Sequence, residues 1–138
     1  MAEQINALLV HAQDDTCHEL ARVLKSLGIK VLYARNCREC SKYFKDRDGI
    51  DLIFAGMGLQ GRGWADVLVL AQQSKTYAPV IVVSSIVDIS VYLEALGRGA
   101  FDFVTPPFLA SDLAHIVRSA IYKELVSVKQ DLTAPPVV

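Results

Sequence analysis

The sequence predicts an α/β domain in which a doubly wound, parallel five-stranded sheet lies between two layers of helices. Short apolar runs alternate five times with amphipathic stretches of helix length, as expected when each strand is buried on both faces. The chain has 138 residues, 52% of them apolar, which is enough to bury the core of one domain. Because crossovers between parallel strands are right-handed, helices are expected on both faces of the sheet.

Five apolar runs are the predicted strands. Branched side chains dominate them, and turn or capping residues flank them, as is typical of buried strands. The predicted strands are Ala7–Val10, Lys30–Ala34, Asp51–Ala55, Pro79–Ser84 and Phe101–Thr105. Ligands of doubly wound folds bind at the carboxyl ends of the strands, so functional side chains are expected there.

Capping residues mark the first two predicted helices. Asp14 or Asp15 begins the first helix, whose apolar residues recur at helical spacing until Gly28 ends it. Asn36 begins the second helix in the same way.

The remaining helices follow the later strands. They are predicted over Trp64–Gln73, over Asp88–Leu96, and in a final segment that Ser111 or Asp112 caps. The domain is expected to span residues 1–125. Residues 126–138 end in Ala-Pro-Pro-Val-Val and are expected to be a linker stub or a disordered tail.

Bulk charge and cysteine usage exclude several classes of function. The 14 basic residues nearly balance the 15 acidic ones, so the chain has no basic field with which to bind nucleic acid. No apolar stretch approaches the ~18 residues that a membrane-spanning helix needs, and the amino terminus lacks a secretory signal pattern. An odd number of cysteines, three, then indicates a reduced, cytoplasmic protein without a disulfide framework.

One glycine-rich motif suggests a cofactor site. Gly56-Met57-Gly58-Leu59-Gln60-Gly61 has the G-x-G-x-x-G spacing and lies between a predicted strand and a predicted helix. In a dinucleotide site such glycines let a pyrophosphate approach the helix amino terminus. The acidic residue that would hold the ribose is missing after the next strand, which ends in Ser84-Ser85. A flexible turn is therefore the favoured interpretation, and a small-molecule or nucleotide-cofactor site remains the alternative.

Other candidate catalytic and metal-binding side chains are isolated. Cys37 and Cys40 form a C-x-x-C pair on the same helical stripe as Phe44, which favours a place in the core over metal or redox chemistry. His11 follows the first strand without a nucleophile near it in sequence. The chain also lacks a G-x-S-x-G elbow and a G-x-x-x-x-G-K-[ST] loop. We therefore expect no catalytic residue, no metal site and no cofactor.

The order and spacing of several segments resemble those of one known family. These segments are Ala7-Leu8-Leu9-Val10, Asp51-Leu52-Ile53-Phe54, Pro79–Ser84, Gly99-Ala100-Phe101-Asp102-Phe103 and Pro107-Phe108. The pattern resembles the receiver domain of two-component response regulators from about Ile5 to Leu125. The resemblance implies a flavodoxin-like (βα)5 fold with strand order 2-1-3-4-5, a role in phosphorelay signal transduction, and a cis bond between Pro106 and Pro107.

The resemblance also implies a phosphorylation pocket, but this chain has unusual residues at its positions. In the family, two acidic residues hold Mg²⁺, an aspartate accepts the phosphoryl group, and a hydroxyl and a lysine bind its oxygens. The acidic pair corresponds to His11 and Ala12, the aspartate to Gly56, the hydroxyl to Ser84 and the lysine to Pro106. Only the hydroxyl is kept, so we expect a degenerate pseudo-receiver with a vestigial pocket that is neither phosphorylated nor bound to Mg²⁺.

Receiver domains signal through the fourth helix, the fifth strand and the fifth helix, and the resemblance implies the same face here. Phe103 matches the switch aromatic of the family, although a simply packed side chain is the alternative. The other candidate residues of this mixed polar and aromatic face are Tyr92, Glu94, Arg98, Arg118 and Tyr122. We expect a protein partner, a fused output domain or a second copy of the chain to bind there, with ordinary solvated surface as the alternative.

Overall fold

A computed structural model describes residues 4–10, 14–46, 49–58, 62–74 and 78–133, and contains one parallel sheet within them. Its strands are β1 (Asn6–Val10), β2 (Lys30–Ala34), β3 (Leu52–Gly56), β4 (Val80–Val83) and β5 (Asp102–Val104). The strand order is β2-β1-β3-β4-β5, and every pairing is parallel. The predicted fold class and strand order are confirmed.

Helices follow each of the strands. They are α1 (Asp15–Ser26), α2 (Cys37–Asp46), α3 (Gly63–Gln73), α4 (Ile89–Gly97) and α5 (Ala110–Thr133). No helix in the described part of the chain is both long enough and apolar enough to cross a membrane.

Two hydrophobic clusters, one on each face of the sheet, hold the layers together. One contains Leu9, Phe54 and residues of α1 and α5, and the other contains Leu8, Ile53 and residues of α2, α3 and α4. Adjacent residues of a strand point to opposite faces, so a strand that is apolar along its whole length serves both clusters. This double burial is why the strands appear as continuous apolar runs in the sequence.

The capping residues act much as the sequence predicts. Asp14 accepts a hydrogen bond from the Cys17 amide at 2.9 Å, and Asn36 accepts one from the Glu39 amide at 3.0 Å. Asp88, predicted as the first residue of the fourth helix, is instead its N-cap and accepts a hydrogen bond from the Val91 amide at 3.2 Å. Each side chain satisfies an amide that has no partner within its helix.

Both ends of α5 differ from the prediction. The helix begins at Ala110, before Ser111 and Asp112, because the Leu109 carbonyl already accepts a hydrogen bond from the Leu113 amide at 3.0 Å. Residues 126–138 are predicted as a linker or tail, whereas α5 continues to Thr133. Residues 126–133 contain neither glycine nor proline to end the helix. The division of the chain after residue 125 remains a prediction.

Candidate functional site

Three of the five vestigial-pocket positions lie together at the carboxyl edge of the sheet. Gly56 is the last residue of β3 and pairs in register with Val83, whose neighbour Ser84 directly follows β4. Val83 pairs in turn with Val104 of β5, and Pro106 follows two residues later. His11 and Ala12 lie outside the described residues. The bond between Pro106 and Pro107 is cis, as predicted.

The side chains at this edge supply little charge. Gly56 is buried and has no side chain, and Pro106 has neither an N–H group nor a charge. Ser84 is 3% exposed, and its hydroxyl accepts a hydrogen bond from the Ile86 amide at 3.3 Å. Within the described ranges, no group of three His, Cys, Asp or Glu residues could hold a metal ion. Asp14 is engaged in capping α1.

The glycine-rich motif lies partly in β3 and partly in the loop after it. Gly56 belongs to the strand, Gly58 has a positive φ of 75°, and Gly61 lies outside the described residues. The base of the loop is closed by a hydrogen bond of 2.7 Å from the Gly63 amide to the Met57 carbonyl. A positive φ is a conformation that glycine adopts without strain, which accounts for Gly58 as a turn residue.

The face formed by α4, β5 and α5, called here the docking face, contains a groove. The groove has a volume of about 440 Å³. It is lined by Tyr92, Leu96, Phe101, Asp102, His115, Ile116, Ser119 and Tyr122. Tyr122 is 69% exposed at its rim, and Arg118 is exposed on the same helix. Two of the six predicted face residues, Tyr92 and Tyr122, therefore line the groove itself.

Phe103 packs beneath this face. Its half-buried ring lies 5.9 Å from the ring of Tyr92 in an edge-to-face arrangement with an interplanar angle of 86°. It also packs against the hydrophobic cluster formed with α2, α3 and α4. The structure thus brings the predicted switch aromatic into contact with a groove-lining tyrosine.

Glu94 and Arg98 belong to an ion-pair network rather than to the groove lining. The Glu94 carboxylate accepts hydrogen bonds from Arg62 at 2.8 and 3.1 Å and from Arg98 at 3.1 Å. The hydrogen bonds from Arg62 lower the pKa of the Glu94 carboxyl below its usual value. No sequence pattern indicates the pairing with Arg62, which is 32 residues away.

A second feature absent from the prediction is an exposed apolar patch at the start of α4. Ile86, Val87, Ile89 and Leu93 are 61–72% exposed. The spacing of Ile89 and Leu93, four residues apart, places both on one face of α4. A helical projection of the predicted helix could have identified that face.

The cysteines behave as core residues. Cys40 is fully buried and Cys37 is half-buried against the same cluster, as the sequence predicts. Burial raises the pKa of the Cys17 and Cys40 thiols to about 12, so neither is a thiolate at neutral pH.

Comparison with known proteins identifies the family. Residues 7–118 match the family model described as response regulator receiver domain. The chain belongs to this family. It is a receiver domain of the kind found in two-component systems, and the match does not favour the cofactor-binding alternative.

Similar proteins agree with this assignment. The chain is 28% identical to the response regulator protein PilR of Pseudomonas aeruginosa over 115 residues, 83% of this chain and 26% of PilR. The chain is also 26% identical in sequence to NtrX from Brucella abortus, whose crystal structure superposes with a TM-score of 0.77. The match covers 95% of this chain and 30% of the NtrX chain.

The crystal structure of a two-component response regulator from Clostridium difficile, 24% identical with a TM-score of 0.71, supports the fold, and the match covers 88% of this chain and 98% of the chain in that structure. The receiver domain spans about a quarter of the length of the curated relatives it matches.

Proposed function

We propose that this receiver domain is a pseudo-receiver, which is not phosphorylated and signals by binding a protein partner. The observation that carries the proposal is Gly56, which ends β3 where the family resemblance implies the phosphoryl-accepting aspartate. Formation of an aspartyl phosphate at this position needs a side-chain carboxylate as the nucleophile, and glycine has no side chain.

The other pocket positions support the same conclusion. Mg²⁺ binding requires hard oxygen ligands, which His11 and Ala12 do not supply. A developing phosphoryl charge is stabilised by a lysine in the family, and Pro106 carries no charge. Ser84 alone retains a suitable group, and a single hydroxyl cannot perform the transfer.

The docking face supports the binding role. Its groove combines two tyrosines at the rim with polar groups from Asp102, His115 and Ser119. Tyrosine is enriched at protein interfaces because its ring is apolar while its hydroxyl remains able to donate a hydrogen bond. We propose that the partner is a protein, a fused output domain or a second copy of the chain, in the cytoplasm and without direct contact to nucleic acid or membrane.

Mass spectrometry tests the loss of phosphorylation. The chain is incubated with acetyl phosphate and Mg²⁺, beside a receiver domain that has a complete set of pocket residues as a positive control. We expect the control to gain a phosphoryl group and this chain to remain unmodified in its intact mass. A phosphoryl adduct on this chain would refute the proposal.

Substitution of Tyr122, at the rim of the groove, tests the binding role. Sedimentation velocity of the chain measures self-association, and crosslinking of the full-length protein measures contact with any output domain. Tyr122→Ala is expected to reduce one of these two signals, whereas Tyr33→Ala on β2, at the other edge of the sheet, provides the matched control. Tyr33 is 43% exposed and lies far from the docking face in the strand order. Equal signals for both variants would remove the docking face from the proposal.

A further inference from the structure

One ion-pair network joins α4 to the loop that follows β3. Glu94 lies on α4, and its carboxylate accepts one hydrogen bond from Nη1 of Arg62 at 3.1 Å and another from Nη2 at 2.8 Å. Arg98, the C-cap residue of α4 and one turn after Glu94, donates to Oε2 of the same carboxylate from Nε at 3.1 Å. The Glu94 carboxylate therefore binds one cation from the loop before α3 and one from the end of its own helix.

The Arg62–Glu94 pair joins two segments that are distant in sequence, unlike the surface pair between Arg35 and Glu39. Arg35 and Glu39 are only four residues apart, so their pairing constrains one end of α2. Arg62 and Glu94 are 32 residues apart and lie on different elements. Two parallel N–H···O bonds between a guanidinium and a carboxylate fix the orientation of both groups as well as their distance. This pair can therefore hold two elements in one relative position.

Arg62 is itself held near the pocket edge of the sheet. It immediately precedes α3, beside the hydrogen bond from the Gly63 amide to the Met57 carbonyl that closes the loop. Its guanidinium carbon lies 5.6 Å from the ring centre of Trp64, which is fully buried. A guanidinium stacks favourably on an aromatic face while its N–H groups bind a carboxylate. The arginine therefore bridges a buried tryptophan of α3 and the Glu94 carboxylate on the surface helix α4.

We propose that Arg62 is a conformational strap that holds α4 against the β3–α3 loop and keeps the docking face in one arrangement without phosphorylation. The link to docking rests on the proposed function, whereas the effect on α4 does not. Gly63, the neighbour of Arg62, donates its amide to the carbonyl of Met57, the neighbour of Gly56, and Glu94 lies on the helix that carries Tyr92. The strap thus links the loop after the vestigial pocket to the helix of the docking face, separately from the Ser84 hydroxyl, which bonds locally to the Ile86 amide.

The strap is sensitive to salt because its charges are only partly buried. The side chains of Arg62 and Glu94 are 56% and 33% exposed. Ion pairs at such positions are screened by dissolved salt, although the bidentate geometry and the shared carboxylate favour this one. We expect the strap to restrain α4 most strongly at low ionic strength.

Hydrogen exchange of the whole chain, measured by mass spectrometry at low salt, tests the strap. Arg62→Gln and Glu94→Gln are expected to accelerate amide exchange in α4 by roughly two- to fivefold, because α4 then opens more readily. Arg98→Gln removes only the pair between Glu94 and the C-cap residue of α4 and is expected to change the exchange much less. Arg35→Gln is the matched control on α2 and is expected to leave α4 unchanged.

The double variant Arg62→Gln/Glu94→Gln separates a pairwise contact from two independent effects. If the strap exists, the double variant exchanges no faster in α4 than the faster single variant, because either substitution already breaks the contact. Unchanged α4 exchange in Arg62→Gln would overturn the proposal. Equal acceleration by Arg62→Gln and Arg98→Gln would also overturn it, since α4 would then depend just as much on the pair with its own C-cap residue.

These outcomes are distinguishable from a failure of the proposed function. A phosphoryl adduct in the acetyl phosphate experiment would refute the pseudo-receiver but would not alter the exchange rates of the variants. Conversely, an absent strap would leave the unmodified mass and the Tyr122→Ala effect in place.

Discussion

The substitution Gly56→Asp tests whether groups in the pocket can stabilise a buried carboxylate. Gly56 is buried at the end of β3, a strand that lies between β1 and β4, and Ser84 follows the residue that pairs with Gly56 on β4. A buried charge without a partner costs about 3–5 kcal/mol. The Ser84 hydroxyl and the position at the edge of the sheet reduce this cost. We therefore expect Gly56→Asp to lower the free energy of unfolding by about 2–4 kcal/mol at pH 7.

Gly56→Asn provides the matched control, because asparagine adds a side chain of nearly the same shape without the charge. Urea denaturation followed by the fluorescence of Trp64, the one tryptophan of the chain, measures both variants. Burial raises the pKa of the new carboxyl above its unfolded value of about 3.9, so its penalty is present at neutral pH. The stability gap between the Asp and Asn variants should therefore close as the pH falls towards 4.

Equal stability of the Asp and Asn variants at pH 7 would refute this reasoning, since the pocket would then neutralise a carboxylate. Millimolar Mg²⁺ adds a second criterion. We expect it to leave the Gly56→Asp transition unchanged, and a shift of that transition to higher urea would reveal metal ligands at the pocket edge.

Three further predictions concern other parts of the chain. Asp14→Ala removes the hydrogen bond to the first turn of α1 and should lower the free energy of unfolding in urea by about 1 kcal/mol. Asp15→Ala should lower it little, and an equal loss in the two variants would contradict the assignment of Asp14 as the cap. The pKa of the Glu94 carboxyl is lowered in the folded chain, so its ion pair with Arg62 stabilises α4 above the unfolded pKa and is lost as the pH falls through the folded pKa. Amide exchange in α4, corrected for the intrinsic rate, should rise over that pH range, and it should rise less in Glu94→Gln. Iodoacetamide at pH 8 should alkylate Cys37 before Cys40, whose burial raises the thiol pKa to about 12, and the reverse order by peptide mass mapping would contradict this.

The sequence was sufficient to predict the fold because local signals agree along most of the chain. The second strand matches the structure to the residue over Lys30–Ala34. The third strand begins at Leu52 rather than Asp51, because the Asp51 carboxylate accepts a hydrogen bond from the Asn6 amide at 2.8 Å. The fifth strand is shorter than predicted, over Asp102–Val104, and pairs with β4 through these three residues. Such end effects depend on neighbouring strands, which sequence patterns do not specify.

The candidate site was only partly predictable. Gly56, Ser84 and Pro106 lie at one edge because the strands are parallel, which the alternation of strands and helices predicts. They follow adjacent strands because of the strand order, which the family resemblance implies. The contact between Arg62 and Glu94 does not follow from any periodicity, because it depends on how the loop after β3 approaches α4. Charged pairs that are distant in sequence carry no local pattern, so only the structure reveals them.

An NMR titration tests the central claim most directly. Mg²⁺ and then beryllofluoride, which mimics a phosphoryl group on a carboxylate, are added to the ¹⁵N-labelled chain, and the amide signals of Gly56, Ser84 and Phe103 are followed. The pseudo-receiver account expects these signals to remain in place, as that of Tyr33 at the far edge should. Saturable shifts of the pocket signals, transmitted to Phe103, would contradict it.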